Sequence, residues 1–349
     1  MPKTYGKWVM KRSLGEGGQA QTFLVVGNGD DEKKEFVLKR LKNKNRIDRF
    51  RKEIEAGLSI SHPNVVQVVD FDLDSDPPYL VTEYYPGGTL SQIALHQLAI
   101  IDRLGIFAAI CRGVGHAHNN GIIHRDLKPD NIFLREDKTT PVVGDFGICF
   151  LTEEGERFTV VDEVVGNRFC TAPELEGGRA DKVLPTSDVY CLGKLLYWMI
   201  GGRSVPRELH RDSKYDLRKE QKDSAIFFVY ELLDKMIVED ASKRFTDGNE
   251  VATAVDVAIR RLQVNAHIPN LTIPQLCDYC GLGEYQPIVN PYSALPGWDQ
   301  GDSVMGFLRI GAGRYDPQRE AWLILACDYC GNVQVFRPDK AQDRDIWRK

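Results

Sequence analysis

Residues 121–134 read GIIHRDLKPDNIFL, and within eight of those positions stand His124, Arg125, Asp126, Lys128 and Asn131. A turn between two apolar runs needs far less polar machinery. Buried or half-buried charges persist only when they are paired or hydrogen-bonded. A chain carrying this stretch therefore has to bring distant segments to meet it. The stretch itself offers a carboxylate, an ammonium and an amide side by side.

Around it the chain changes texture twice. The first 85 residues read mainly as strands. WVMKRSLGEGGQAQTFLVVGNG alternates around a Gly-rich turn, and EFVLKRL, NVVQVVDFDL and PYLVTEYY follow as further strands. One helix interrupts them at 46–60, with apolar spacing through Ile47, Phe50, Ile54 and Leu58. After PGG at 86–88, helical patterns take over. They are LSQIALHQLAI, IDRLGIFAAICRGVGHAHNNG, the almost wholly apolar and hence buried SDVYCLGKLLYWMIGG, AIFFVYELLDKMI and NEVATAVDVAIRRL. From about residue 264 prolines and glycines accumulate, which sets a linker at 264–272 and a small β-rich module at 273–349. The expected class is α+β, with a β-rich part over 1–85 and a helical part over 86–263.

A length of 349 residues fits about two domains at ~150 residues each. The net charge of -5 argues against a nucleic-acid or anionic-membrane partner. No apolar run reaches the ~18–20 residues of a membrane span, and the polar, Gly-rich start does not read as a signal peptide. A cytoplasmic location is the expectation.

Five short motifs occur in order: GEGGQA at 15–20, VLK ending on Lys39, HRDLKPDN at 124–131, DFG at 145–147 and APE at 172–174. Over roughly residues 8–262 this set resembles the eukaryotic-type Ser/Thr protein kinases. The resemblance implies the two-lobed protein kinase fold and transfer of the ATP γ-phosphoryl group to serine and threonine hydroxyls of proteins. Phosphoryl transfer needs alignment and charge neutralisation more than covalent help. Gly15, Gly17 and Gly18 let backbone N–H groups approach phosphates without a Cβ between. Lys39 is expected to hold the α- and β-phosphates, steered by Glu53, which lies ten residues before Pro63; Glu55 should face elsewhere. Asn131 and Asp145 offer oxygen ligands suited to Mg²⁺. Asp126 is the expected catalytic base, and Lys128 would touch the γ-phosphate and marks serine/threonine preference. Glu83 and Tyr85, after Thr82, would read adenine through their backbone. His124 and Phe146 look like packing residues that align the lobes, Asp188 like the holder of the catalytic-loop backbone. Glu174 and Arg244 resemble the ion pair that fixes the activation segment.

This chain departs from the family pattern at Ala20, Thr22, Val37 and Gly57, and Asn167 stands where a threonine is common. The Gly57 departure is expected to loosen the coupling of the lobes. None of these removes a charged catalytic group. Arg125 is expected to meet a standing negative charge on Glu163, with Thr152 or Thr159 as phosphorylated alternatives. The rival from another class is a pseudokinase scaffold whose C-terminal module mediates protein interactions.

Eight cysteines are present, and four of them form two CDYCG units, Cys277 with Cys280 and Cys327 with Cys330. In a reducing compartment such pairs point to metal before disulfide. CxxC, 46 residues and CxxC is the spacing of a structural four-thiolate Zn²⁺ site in a zinc-ribbon-like module. From 273 to 349 there are eight Lys/Arg and ten Asp/Glu, a net of -2, which favours a protein partner over nucleic acid at this module.

Overall fold

A computed structural model describes residues 3–17, 20–28, 34–146, 170–175, 183–221, 223 and 225–265, together with three strands at 285–288, 323–327 and 333–336. The chain forms two compact units, Met1–Asp256 and Val257–Lys349. Among the described residues no helix is long and apolar enough to cross a membrane.

The first unit opens with six antiparallel strands: β1 (Thr4–Tyr5), β2 (Trp8–Glu16), β3 (Ala20–Gly27), β4 (Glu35–Leu41), β5 (Val68–Asp72) and β6 (Tyr79–Glu83). Their order across the sheet is β1-β2-β3-β4-β6-β5. The two-residue period of β4 sorts its side chains. Phe36 and Leu38 join Trp8, Phe23, Val25 and Val81 in a core on one face. Leu41, on the other face, packs with Leu80 against Phe50 and Ile54 of α1 (Ile47–Ser59). Lys39 shares its face with Leu41, so register alone turns the lysine toward α1. Burying Phe50 and Ile54 contributes roughly 1.5–3 kcal/mol each.

Two expectations for this region need correction. Leu58 does not extend the α1 stripe; it is 54% exposed, and the chain turns inward only at the buried Ile60, after the helix has ended. Nor does Gly57 leave a gap: a Cβ there would meet Val68 Cγ2 at 2.5 Å, so Val68 of β5 already occupies the space.

The helical part is built on α2 (Ile100–Asn119), α3 (Pro185–Gly201), α4 (Ile226–Leu233) and α5 (Gly248–Asn265), with a small hairpin of β7 (Ile132–Leu134) and β8 (Pro141–Val143). As its composition demands, α3 is buried from Ser187 to Tyr197 without a break. Pro185 opens it, where a missing N–H does no harm, and Gly202 closes it at φ 66. The segment LSQIALHQLAI is not one helix but two short 3₁₀ turns, Leu90–Gln92 and Leu95–Gln97. A capping box between Thr89 and Gln92 opens the first, and the buried Arg103 draws off the carbonyls of His96 and Leu98 that a continuous helix would use.

In the second unit β9 (Tyr285–Ile288), β10 (Leu323–Cys327) and β11 (Val333–Phe336) form an antiparallel sheet in the order β11-β10-β9.

Candidate active site

The HRDLKPDN stretch is held from below by α3. Asp188, fully buried, accepts the backbone N–H of His124 at 2.7 Å and of Arg125 at 2.8 Å. His118 of α2 accepts the Gly248 N–H at Nδ1 (3.2 Å), so its Nε2–H donates to Asp188 (2.9 Å). Burial alone would raise the Asp188 pKa, but these bonds hold it below the usual carboxylate value. Arg125 takes φ 68 and Asp145 φ 58. Left-handed backbone at a residue with a Cβ costs about 1–3 kcal/mol, a strain that collects at functional sites.

His124 is fully buried against Phe146, ring centroids 4.7 Å apart. Its Nδ1 accepts the Asp126 N–H at 3.3 Å and its Nε2–H donates to the Gly144 carbonyl at 2.8 Å. Both ring nitrogens are committed, which leaves His124 no part in proton transfer. Gly144 in turn donates its N–H to the Asn131 carbonyl at 2.9 Å. These two bonds set Asp145, the next residue, beside the loop that carries Asp126 and Asn131.

Asp126, Lys128 and Asn131 form one group. Lys128 Nζ donates to Asp126 Oδ2 at 2.7 Å, and the Asn131 amide donates to the Asp126 carbonyl at 2.8 Å and to Oδ2 at 3.0 Å. Opposite them, Lys39 Nζ donates to Glu53 Oε1 at 2.6 Å and to Asp145 Oδ1 at 3.1 Å. Burial works to lower the Lys39 pKa, but Asp145 and Glu53 more than reverse it, so the ammonium is secured. The charge of Lys39 pulls the Asp145 pKa down against burial. Glu53 moves the other way, raised by burial and by the charge of Asp145 despite Lys39. The sequence-predicted trio of Lys39, Glu53 and Asp145 thus meets, and the Gly144 bonds to His124 and Asn131 seat Asp145 next to the loop that carries Asp126.

Of the glycine-rich segment, Gly15 and Gly17 are in place. Thr22 Oγ1 donates to the Gly15 carbonyl at 3.1 Å, Gly17 N–H to the Ala20 carbonyl at 3.0 Å, and Lys42 Nζ to the Gly17 carbonyl at 2.8 Å. A Cβ at Gly15 or Gly17 would meet only Thr22 Oγ1 at 3.6 Å or the Ala20 carbonyl oxygen at 3.8 Å. Nothing described within the fold therefore demands glycine at either position. Glu83 ends β6; its carboxylate accepts from Lys34 at 3.0 Å and from the Tyr85 hydroxyl at 3.4 Å. Tyr85 lies stacked on Phe133, and burial with the Glu83 charge pushes its hydroxyl up to about 12.

Glu174 and Arg244 pair through both oxygens, at 2.8 and 2.9 Å, and Ser187 of α3 donates to the same carboxylate at 2.8 Å. Burial would raise Glu174, yet Arg244 and Ser187 hold it below its usual value. Gly18, Glu163, Thr152, Thr159, Asn167, Cys277, Cys280 and Cys330 lie outside the described residues, as does the side chain of Cys327. Among the described residues no group of three or more His, Cys, Asp or Glu side chains is placed to hold a metal ion. Sequence reasoning missed His118 and Lys42. Two histidines stand two apart in HAHNNG, and only the packing of α2 against α3 distinguishes His118 from His116.

The protein kinase domain family matches residues 8–256 of the chain. Serine/threonine-protein kinase PrkC of Bacillus subtilis is 34% identical over 206 residues, 57% of this chain and 31% of PrkC. Serine/threonine-protein kinase PknB of Mycolicibacterium smegmatis is 36% identical over 161 residues, 44% of this chain and 25% of PknB. The chain thus spans about a third of the first relative's length and a quarter of the second's. Among solved structures, the kinase domain of Mycobacterium tuberculosis PknI superposes with a TM-score of 0.55 at 21% identity, over 74% of this chain and 97% of that one. That likeness carries the two-lobed fold, a curled β-sheet lobe followed by a helical lobe.

Proposed function

The chain belongs to the protein kinase domain family, and from that premise we propose that it is an ATP- and Mg²⁺-dependent kinase of serine and threonine hydroxyls in proteins. The observation that carries the reading is that the Gly144 bonds to His124 and Asn131 bring Asp145, paired with Lys39 and Glu53, beside the loop bearing the Asp126–Lys128–Asn131 group.

Each residue then has a task fixed by its surroundings. Lys39, locked as an ammonium, neutralises phosphate oxygens, and Glu53 aims it. Gly15 and Gly17 leave open a space that the fold itself would let a Cβ fill, consistent with close backbone approach to phosphates. Mg²⁺ is usually held by one or two protein oxygens together with substrate phosphates. Two donors, the Asp145 carboxylate and the Asn131 amide oxygen, fit that habit better than a closed cage would. Asn131 turns its amide N–H₂ to Asp126, which leaves its carbonyl oxygen for the cation. When bound, the ion neutralises charge on the transferred group. Asp126 Oδ2 takes hydrogen bonds from Lys128 and Asn131. Oδ1 is thereby the oxygen that orients the substrate hydroxyl and receives its proton. Lys128, held beside Asp126, would balance negative charge on the γ-phosphoryl oxygens as the hydroxyl approaches.

The test is transfer of labelled phosphate from ATP to a generic protein. General-base removal costs about 10²–10⁴-fold, so Asp126→Asn should lower kcat by that factor while nucleotide binding persists. Equal rates for variant and wild type would defeat the proposal, and a wild type without transfer would favour the scaffold.

The proposal extends to residues 273–349 as a zinc-ribbon-like module that offers a surface to a protein partner. Cys327 closes β10, which pairs with β11 across the second CDYC unit. Its register partner Tyr285 opens β9 five residues after Cys280. The two CDYC units thus adjoin, along the sequence, the paired ends of β9 and β10, which is consistent with a shared Zn²⁺. Purified under reducing conditions, the chain should carry about one zinc, and metal analysis giving none would remove this part. A cytoplasmic location belongs to the same proposal, since four paired thiolates need a reducing compartment.

A further inference from the structure

Two thiols meet beneath the activation segment, and no step of phosphoryl transfer uses them. Cys170 lies four residues before Glu174, and Cys191 lies in α3, three residues after Asp188. Cys170 Sγ sits 3.9 Å from the Cys191 carbonyl oxygen. Reciprocally, the Cys191 thiol donates to the Cys170 carbonyl oxygen. Each side chain reaches the other's backbone, so the residues lie flank to flank. A disulfide requires such adjacency, with Cα atoms about 4.4–6.8 Å apart. Both cysteines are free, Cys191 buried and Cys170 partly accessible.

We propose that Cys170 and Cys191 form an oxidation site, at which a peroxide converts the two thiols to a disulfide that ties the activation segment to α3. The accessible Cys170 reacts first. Its sulfur attacks hydrogen peroxide, the O–O bond breaks, water leaves and Cys170 becomes a sulfenic acid. The Cys191 sulfur then attacks that sulfur. The S–S bond forms, the S–O bond breaks, and the Cys191 proton departs with the hydroxyl as a second water. Two electrons pass from the thiols to peroxide in total. Cys191 suits the resolving role, because burial shields it from peroxide while its side chain lies against Cys170. Disulfides in a reducing compartment are characteristically transient and redox-sensing, and a dithiol reductant reverses this one.

The bond would join two restraints already present. On one side the segment is anchored by Glu174 to Arg244. On the other, α3 holds the catalytic loop through Asp188.

Peptide mapping of the full chain tests the site. Trypsin cuts after Arg168, Arg179, Lys182 and Lys194, so the two cysteines fall in separate peptides, 169–179 and 183–194. After hydrogen peroxide, and alkylation of the remaining thiols, these peptides should appear as one disulfide-linked pair that dithiothreitol separates. In Cys191→Ser, Cys170 should instead be trapped as a sulfenic acid by dimedone. Cys170 still fully alkylated after peroxide, or over-oxidised to sulfinic acid with Cys191 still alkylated, overturns the proposal. The readout is mass, so it is independent of whether the chain phosphorylates proteins.

Discussion

Replacing Asp188 by asparagine tests how the catalytic loop is held. Asp188 Oδ2 accepts from His124 N–H and His118 Nε2–H, and Oδ1 accepts from Arg125 N–H. An amide keeps one oxygen. Its least damaging orientation leaves that oxygen toward His124 and His118 and sets N–H₂ against the Arg125 N–H. One buried donor is then unsatisfied, at about 1–3 kcal/mol. The two surviving bonds lose their charge assistance, which roughly halves their strength. The sum is about 3 kcal/mol. For a unit of this size about 2–4 °C accompanies each kcal/mol, so Tm should fall by about 6–12 °C. Arg125 also loses the bond that fixes its left-handed backbone. Disorder should therefore reach Asp126, and kcat should fall while KM for ATP, which the proposed function assigns to Lys39 and the glycine-rich segment, stays near wild type. Thermal unfolding and steady-state kinetics read the two effects. A Tm within about 2 °C of wild type, beyond what the sums above allow, would refute the reasoning, because no buried donor could then have been abandoned.

Gly57→Ala sets helix propensity, a gain of about 1 kcal/mol, against overpacking, a loss of about 1–3 kcal/mol. The Cβ contact of 2.5 Å with Val68 makes overpacking win, so chemical denaturation should show a net loss that Val68→Ala relieves. In acid, Glu174 and Asp188 sit below the usual carboxylate pKa, and Asp234, paired with Arg211 and His210, is lowered to about 2. The unfolded chain then binds more protons, so the stability these groups contribute is full above about pH 4.5 and lost as pH falls through their folded values. Glu53, raised instead, opposes this modestly. Denaturant midpoints between about pH 6 and pH 3, the range spanning the ordinary carboxylate values, should drop; a flat profile would contradict the pairing.

What the sequence made legible follows from what kind of physics each feature obeys. Lys39, Asp126, Asn131 and Asp145 were legible because their chemistry fixes residue type and local spacing. Strand β4 was legible to the residue, since a half-buried strand must alternate. The 90–100 segment misled because its apolar spacing is helical, while the decisive competitor, Arg103, draws on carbonyls that no local pattern reveals. Gly57 looked like a missing contact because the contact comes from Val68, eleven residues on and across a turn. His118 was invisible for the same reason: its partner Asp188 is seventy positions away. Local grammar carries the chemistry, and tertiary partners decide which side chains support it.

Those tertiary supports converge on one helix. From α3, Ser187 holds Glu174, Asp188 holds His124 and Arg125, and Cys191 meets Cys170. Three residues within the span 187–191 thus serve both the catalytic loop and the activation segment. Lys194, one turn on, anchors the chain after the helix through the Val205 carbonyl at 3.0 Å and the Arg207 carbonyl. A helix with so many dependants cannot tilt without moving the catalytic loop and residues 170–175 together. Its near-complete burial then has a functional reading beside the energetic one: rigidity in α3 keeps Asp126 and the activation segment in register. A perturbation of α3 should accordingly change kcat and KM for protein substrate jointly, whereas one confined to Lys39 or Glu53 should act through ATP alone.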